Sequence, residues 1–254
     1  MLMKNKTALV VGAAGLLGNA IVSSIIKEGG RVIAADIDIE ALKPLSKKFS
    51  VDQLIIIELD ITCKESIASV FQSIDDSWGG IDGAVNTAYP RNVNYGRKVF
   101  DVTFEDFSEN LGLHLGGYFL FMQQCAAYAK DKSAPFSLVS LSSIYGLMAP
   151  RFEIYDGTMM TVPVEYAAIK SALLHLNTYF TSFMKGTGFR ANSVSPGGLL
   201  DNQDEKFLKK YNKHCMKKGM LNPEDITGAV NFLLSDLSQY MSGQNLVVDD
   251  GFSI

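Results

Sequence analysis

The sequence predicts an α/β protein: a single-domain, doubly wound sheet of about seven parallel strands flanked by helices on both faces. Three observations predict it. Short β-branched runs alternate with helix-length amphipathic stretches along nearly all 254 residues, the pattern of βαβ units feeding a parallel sheet. No composition break, repeat or low-complexity linker divides the chain, so one domain over residues 1–254 is expected. At this length, a hydrophobic content of 47% is enough to bury a substantial core.

The first strand, Thr7–Val11, opens an uncharged run to Ile26 that follows Lys4 and Lys6. By length and flanks the run fits a signal segment or a membrane span. Gly12, Gly15 and Gly18, with Asn19, Ser23 and Ser24, fit neither. A buried strand turning through glycines into a helix over Gly15–Glu28 has the same hydropathy, because parallel strands are apolar on both faces. The remaining strands are Arg31–Ala35, Leu54–Glu58, Gly83–Asn86, Phe136–Leu141, Arg190–Ser195 and Asn245–Val248. Helices are expected over Lys64–Ser77, Phe104–Lys130, Val164–Lys185 and Pro223–Ser235. The last should take Asn222 as N-cap, with Pro223 at its first position. Asp201–Met220 is polar with a helical pattern. Ligands of such sheets sit at the carboxyl ends of the strands.

A formal charge of -4 supplies no electrostatic case for nucleic acid or an anionic membrane surface, so a small-molecule substrate is expected. Cys63, Cys125 and Cys215 are odd in number, scattered and free of CxxC spacing, which argues for reduced thiols in a cytoplasm. His114, His175 and His214 lack metal-ligand spacing, and no metal is expected.

After the first strand comes Gly12-Ala-Ala-Gly15-Leu16-Leu17-Gly18, a Rossmann-type turn in which glycines allow a tight bend, approach to a pyrophosphate and close helix packing. The helix N-terminus then faces the phosphates. Alone, GxxGxxG is a weak signal that any small-residue βα turn could mimic. Asp36, eighteen residues after Gly18, strengthens it, since a carboxylate there accepts bonds from both ribose hydroxyls. It would repel a 2′-phosphate, and Ile37 and Asp38 bring no arginine, so NAD is expected over NADP. The competing reading of Asp36 is a solvated cap before Glu40. Asp60 is placed to touch an adenine edge or, equally, to cap the next helix.

A tyrosine with a lysine four residues on shares a helix face with it, where the ammonium can lower the phenol pKa. Tyr128/Lys132 and Tyr166/Lys170 both qualify. Only the second follows a serine-bearing strand end, Leu141-Ser-Ser-Ile-Tyr-Gly146, so only it can form a site with a serine there; Tyr128 is expected on a helix surface.

From about Lys6 to VDDGF the chain resembles the short-chain dehydrogenase/reductase family. The matching motifs, in order, are VVGAAGLLG, AADID, LDIT, VNTA, LSSIYG, YAAIK and SPGG. The resemblance implies hydride transfer between a carbinol carbon and nicotinamide, with Tyr166 exchanging the substrate proton, Lys170 holding the ribose and tuning Tyr166, and Ser143 orienting the substrate oxygen. It implies cofactor contacts from Gly12, Gly15, Leu16, Leu17, Gly18, Asp36, Asp60, Ile61, Asn86, Ala88, Tyr166, Lys170, Pro196 and Gly197. A homodimer or homotetramer is implied too, with Val164–Lys185 burying one face on the sheet and another on a partner.

Departures from the family pattern are informative. Val11 replaces the usual threonine, Leu16 a usual glycine, and Thr87 and Tyr89 stand where Asn and Gly are common. His114 aligns with the asparagine that supports a proton-relay water; it is read either as part of that relay or as a helix residue bonding a freed carbonyl. Ser143 and Tyr166 are 23 residues apart where the family has about a dozen, so the insert 147–165 should border the active site. The segment 197–221 is expected to close over substrate. The insert and AYPRNVNYGRK resemble a subgroup of flagellin-modification or surface-glycan oxidoreductases. Tyr89, Arg91 and Arg151, with Arg97 and Lys98, are candidates to meet a sugar-like substrate or its phosphate or carboxylate; the alternative for the charged ones is solvated loop charge. Competing functions are a 3-oxoacyl carrier-protein reductase, which Asp36 opposes, a nucleotide-sugar epimerase or dehydratase, which usually has a longer C-terminal domain, and a silent dinucleotide sensor, which would have lost the serine, tyrosine or lysine.

Overall fold

A computed structural model describes residues 1–254. Its strands are β1 (Thr7–Val11), β2 (Arg31–Asp36), β3 (Leu54–Glu58), β4 (Gly83–Asn86), β5 (Phe136–Leu141), β6 (Phe189–Pro196) and β7 (Asn245–Val248). All pair in parallel, in the order β3-β2-β1-β4-β5-β6-β7. The order reverses between β1 and β4, which opens a crevice at their carboxyl ends.

Alternation along the strands builds two core layers. Leu9 and Val11 of β1 join one layer with α3 (Lys64–Trp78), α5 (Gly117–Lys132) and α6 (Val164–Phe183). Ala8 and Val10 join the other, with α1 (Leu16–Lys27), α2 (Lys43–Lys48) and α8 (Glu224–Leu234). A smaller cluster above the carboxyl edge packs Ile154 of the insert against Phe207 and Tyr211 of α7 (Glu205–Tyr211), with Met220 and Phe252. No helix is long and apolar enough to cross a membrane.

Three local expectations are corrected. The helix predicted over Phe104–Lys130 is not uniform: α4 (Phe104–Asn110) passes through a π-helical turn, Leu111–Gly116, into α5. Gly112, Gly116 and Gly117 weaken regular helix there, and the wider turn carries His114 into the interior. Asn222 does not cap α8 with its side chain; Asp225 instead reaches back, its Oδ2 accepting the Asn222 backbone N–H at 2.8 Å. Tyr128 is half-buried, stacked on Phe71 at 4.7 Å, and its hydroxyl donates to Asp75 at 2.8 Å. The six-residue α2 has no apolar stripe long enough to stand out from the surrounding loop.

Candidate active site

At the crevice, β1 ends in a turn that requires glycine twice. Gly12 has φ +76°, and a Cβ there would lie 2.7 Å from Thr87 Oγ1; a Cβ on Gly18 would lie 2.1 Å from the Gly12 carbonyl. Gly15 occupies the N-cap of α1 in extended conformation and brings no side chain to cap it, so the helix opens with amides available to an anion. Leu16 and Leu17 follow on the wall of a cavity of about 530 Å³, while Gly12, Ala14 and Gly15 line a second of about 460 Å³. Thr87 and Tyr89 border both, so the two lie end to end, with α1's N-terminus between them. This is the division a dinucleotide needs: one chamber for each nucleoside and helix amides at the bridge.

The smaller chamber also takes Asp36, Asp60, Ile61 and Ala88. Asp36 Oδ2 accepts the Ala14 N–H at 3.0 Å and Oδ1 the Asp38 N–H at 3.1 Å, which anchors the carboxylate against the glycine turn. It does not cap the following helical turn; Asp38 accepts the Ala41 N–H instead. Asp60 lines the chamber while its Oδ1 accepts both the N–H and the hydroxyl of Thr62. Asn86 is buried: its Oδ1 accepts the Ala88 N–H at 3.0 Å, its carbonyl accepts the Tyr118 hydroxyl at 2.9 Å, and its Nδ2 is unpartnered.

In the larger chamber stand Ser143, Tyr166 and Lys170, together with Pro196 and Gly197 from the end of β6. Ser143 closes β5 in extended conformation, its Oγ accepting the Tyr145 N–H at 3.2 Å. Tyr166 and Lys170 come from the first turns of α6, which is held to the strand end by two bonds. Ser142 Oγ donates to the Lys170 carbonyl at 2.7 Å, and Lys170 Nζ donates to the Leu141 carbonyl at 2.8 Å. Burial lowers the Lys170 ammonium to about 7 and raises the Tyr166 phenol above its ordinary range, the Ser143 hydroxyl opposing the second shift. Lys170 Nζ lies 5.6 Å from the Tyr166 ring centroid and 5.7 Å from that of Tyr89.

His114 departs from one of its two expectations. Its two ring nitrogens are buried without partners, so it does not bond a helix carbonyl. Burial, then the Lys170 and Arg91 charges, lower it to about 2, which favours the neutral imidazole near neutral pH. Its ring packs against Tyr89 at 4.9 Å and Tyr118 at 5.3 Å.

The basic candidates divide. Arg151 lies over the Phe252 ring and donates to the Phe252 carbonyl, fastening the insert to the C-terminus instead of facing the chamber. Arg97 is paired with Asp106 at 2.8 Å. Arg91 is exposed over the outer face of Tyr89, 4.9 Å from its ring. The insert does border the chamber, through Tyr155 and Met160, and the 197–221 segment reaches it through Tyr211; Tyr145, not singled out in the sequence, lines it too. The signal available for the two tyrosines was the aromatic content of IYG, just before the insert, and of EIYDG within it.

Known proteins match along the same length. A family model described as enoyl-(acyl carrier protein) reductase fits residues 12–253. The post-translational flagellin modification protein A of Campylobacter coli is 38% identical over 257 residues, covering 100% of both chains. A 3-oxoacyl-(acyl-carrier-protein) reductase from Thermotoga maritima is 28% identical, again covering 100% of both. A short-chain dehydrogenase from Leptospira borgpetersenii, crystallised with bound NAD+, superposes with a TM-score of 0.86 at 30% identity, covering 99% of this chain and 94% of that one. A match that runs from the glycine turn to the C-terminus, at 38% identity over the whole chain, means that this protein belongs to the short-chain dehydrogenase/reductase family of oxidoreductases.

Proposed function

We propose that the protein is an NAD(H)-dependent oxidoreductase interconverting a secondary alcohol and a carbonyl on a sugar or sugar-derived substrate, in flagellin modification or surface-glycan synthesis in the cytoplasm. The observation that carries the reading is the gathering of Ser143, Tyr166 and Lys170 in one chamber joined end to end with the Asp36 chamber. The relatives support NAD and the flagellin context, one crystallised with NAD+ and another named for flagellin modification. Asp36, Asp60, Ile61 and Ala88 would hold the adenosine, Gly12 to Gly18 the pyrophosphate, and Asn86, Lys170, Pro196 and Gly197 the nicotinamide side. Once bound, the nicotinamide supplies or accepts the hydride.

The chain's own residues handle the proton. Ser143 Oγ fixes the substrate oxygen, and Tyr166 Oη exchanges a proton with it as the carbon changes oxidation state. Lys170 favours the phenolate, and an anion beside it in turn favours the ammonium that burial alone disfavours. A second copy of the chain covers the apolar groove formed by Leu111, Leu115, Phe119, Ala172 and Leu176.

Tyr166→Phe should lower turnover about a thousandfold while leaving NADH affinity within about twofold. Single-turnover kinetics with calorimetry measure both, and near-normal turnover would overturn the assignment. NADH should also bind at least about tenfold more tightly than NADPH, because Asp36 would face the 2′-phosphate.

A further inference from the structure

Resting on that reading, we infer that two tyrosine pairs, Tyr89–Tyr95 and Tyr145–Tyr155, select a substrate whose reacting carbon is flanked on both sides by oxygen functions: a vicinal polyol in place of an isolated secondary alcohol. The Tyr89 and Tyr95 hydroxyls are 2.6 Å apart, and those of Tyr145 and Tyr155 3.1 Å. Each pair has two protons and makes one mutual bond, so each keeps one O–H uncommitted. Burial raises all four phenols above their ordinary value, which keeps both pairs protonated donors across the working pH range.

Position makes them selective. Tyr89, Tyr145 and Tyr155 line the chamber that contains Ser143 and Tyr166. Tyr89 stands edge-on to Tyr166, ring centroids 5.9 Å apart, and also borders the Asp36 chamber. Tyr145 and Tyr155 instead pack against the cluster of the insert, α7 and the C-terminus. The two pairs therefore stand on different walls of the chamber that holds Ser143 and Tyr166. Charge agrees with an uncharged ligand. Lys170 is the one cation lining the chamber and is bonded to the Leu141 carbonyl, while Asp201 contributes a carboxylate. A site built to hydrogen-bond an oxygen rejects the analogue that lacks it, because its own polar group is then left unpaired.

The test is NAD-dependent oxidation of three probes of one ring size: cyclohexanol, cis-1,2-cyclohexanediol and myo-inositol. The expected result is a rise in kcat/KM of about tenfold for each flanking hydroxyl, carried mainly by KM. Tyr89→Phe, and the double change Tyr145→Phe with Tyr155→Phe, should each shrink the inositol-to-cyclohexanol ratio about tenfold. Tyr95→Phe should shrink it less, since Tyr89 keeps its O–H. Equal efficiency with cyclohexanol and inositol would overturn the inference, as would variants that lower all three probes in proportion, the mark of a purely structural role. Absence of both turnover and calorimetric binding of every probe, with NADH binding intact, would also overturn it and leave the oxidoreductase reading standing. Loss of NADH binding by the unmodified protein would instead count against that reading.

Discussion

His114 occupies the place where a relay group is expected, yet its surroundings deny it a charge. Burial is the largest cause, and Lys170 and Arg91 add to it. An unfolded histidine takes up its proton near 6.5, whereas the folded one does so only near 2. Between those values the unfolded state binds the extra proton, so stability is fully present above about pH 6.5 and is lost as pH falls through the window. His114→Asn should remove this acid sensitivity, and melting temperatures from pH 7 to pH 4 should fall less steeply than in the unmodified protein. The pH–rate profile above pH 6 should keep its shape in the same variant; an inflection near 6.5 that vanishes with the imidazole would show that the histidine does titrate in the working enzyme. The other relevant charge, Lys170, is lowered to about 7 by burial alone. That is the value a group needs if a bound anion is to decide its protonation.

At the scale of elements, the segment after β4 is held by a polar network that ties it to α4 and to the start of α6. Asp106 Oδ1 accepts Asn92 Nδ2 at 3.0 Å and Asn94 Nδ2 at 2.8 Å, while Oδ2 accepts Arg97 Nη1 at 2.8 Å. Asn110 accepts the Asn92 N–H and donates to Glu165, the residue before Tyr166. These bonds, with the Asn94 amide foremost, hold the Asp106 carboxyl below its ordinary value. The network thereby holds the segment 92–97, whose Tyr95 hydroxyl bonds that of Tyr89, and a positioning role toward Tyr89 is expected of Asp106. Asp106→Ala should raise KM roughly tenfold with a smaller loss in kcat, while an effect on melting temperature with no change in KM would count against the role. None of this network was legible in the sequence, because its members are ordinary loop polars whose meeting depends on tertiary contact between residues 92–97, 106–110 and 165. The strands and the placing of the Tyr166/Lys170 pair beside the serine-bearing end of β5 were legible for the opposite reason. Apolar runs, glycine spacing and an i,i+4 pair write their geometry locally. The π-helical turn fell between: its glycines are visible, but the pull that draws His114 inward comes from packing against Tyr89 and Tyr118.

For the whole molecule, the two core layers leave an apolar groove uncovered on the α5–α6 face. Leu111 and Leu115 of the π-helical turn, Phe119 of α5, and Ala172 and Leu176 of α6 border a shallow groove, and exposed Tyr179 and Phe183 continue it along α6. A helix whose opposite face already packs on the sheet gains nothing in solvent from a second apolar face, which is the usual condition of a two-fold interface. Because a two-fold axis presents each residue twice, one substitution acts at two places. Burying a phenylalanine contributes about 2 kcal/mol, so replacing Phe119 by glutamate should cost at least about 4 kcal/mol per dimer, roughly a thousandfold in dissociation constant. Sedimentation velocity at micromolar concentration should show a dimer or tetramer for the unmodified protein and a smaller species for Phe119→Glu. NADH binding should persist in that smaller species, since the groove contributes no residue to either chamber. A monomeric unmodified protein, or a variant that assembles unchanged, would mean that this face is not the interface.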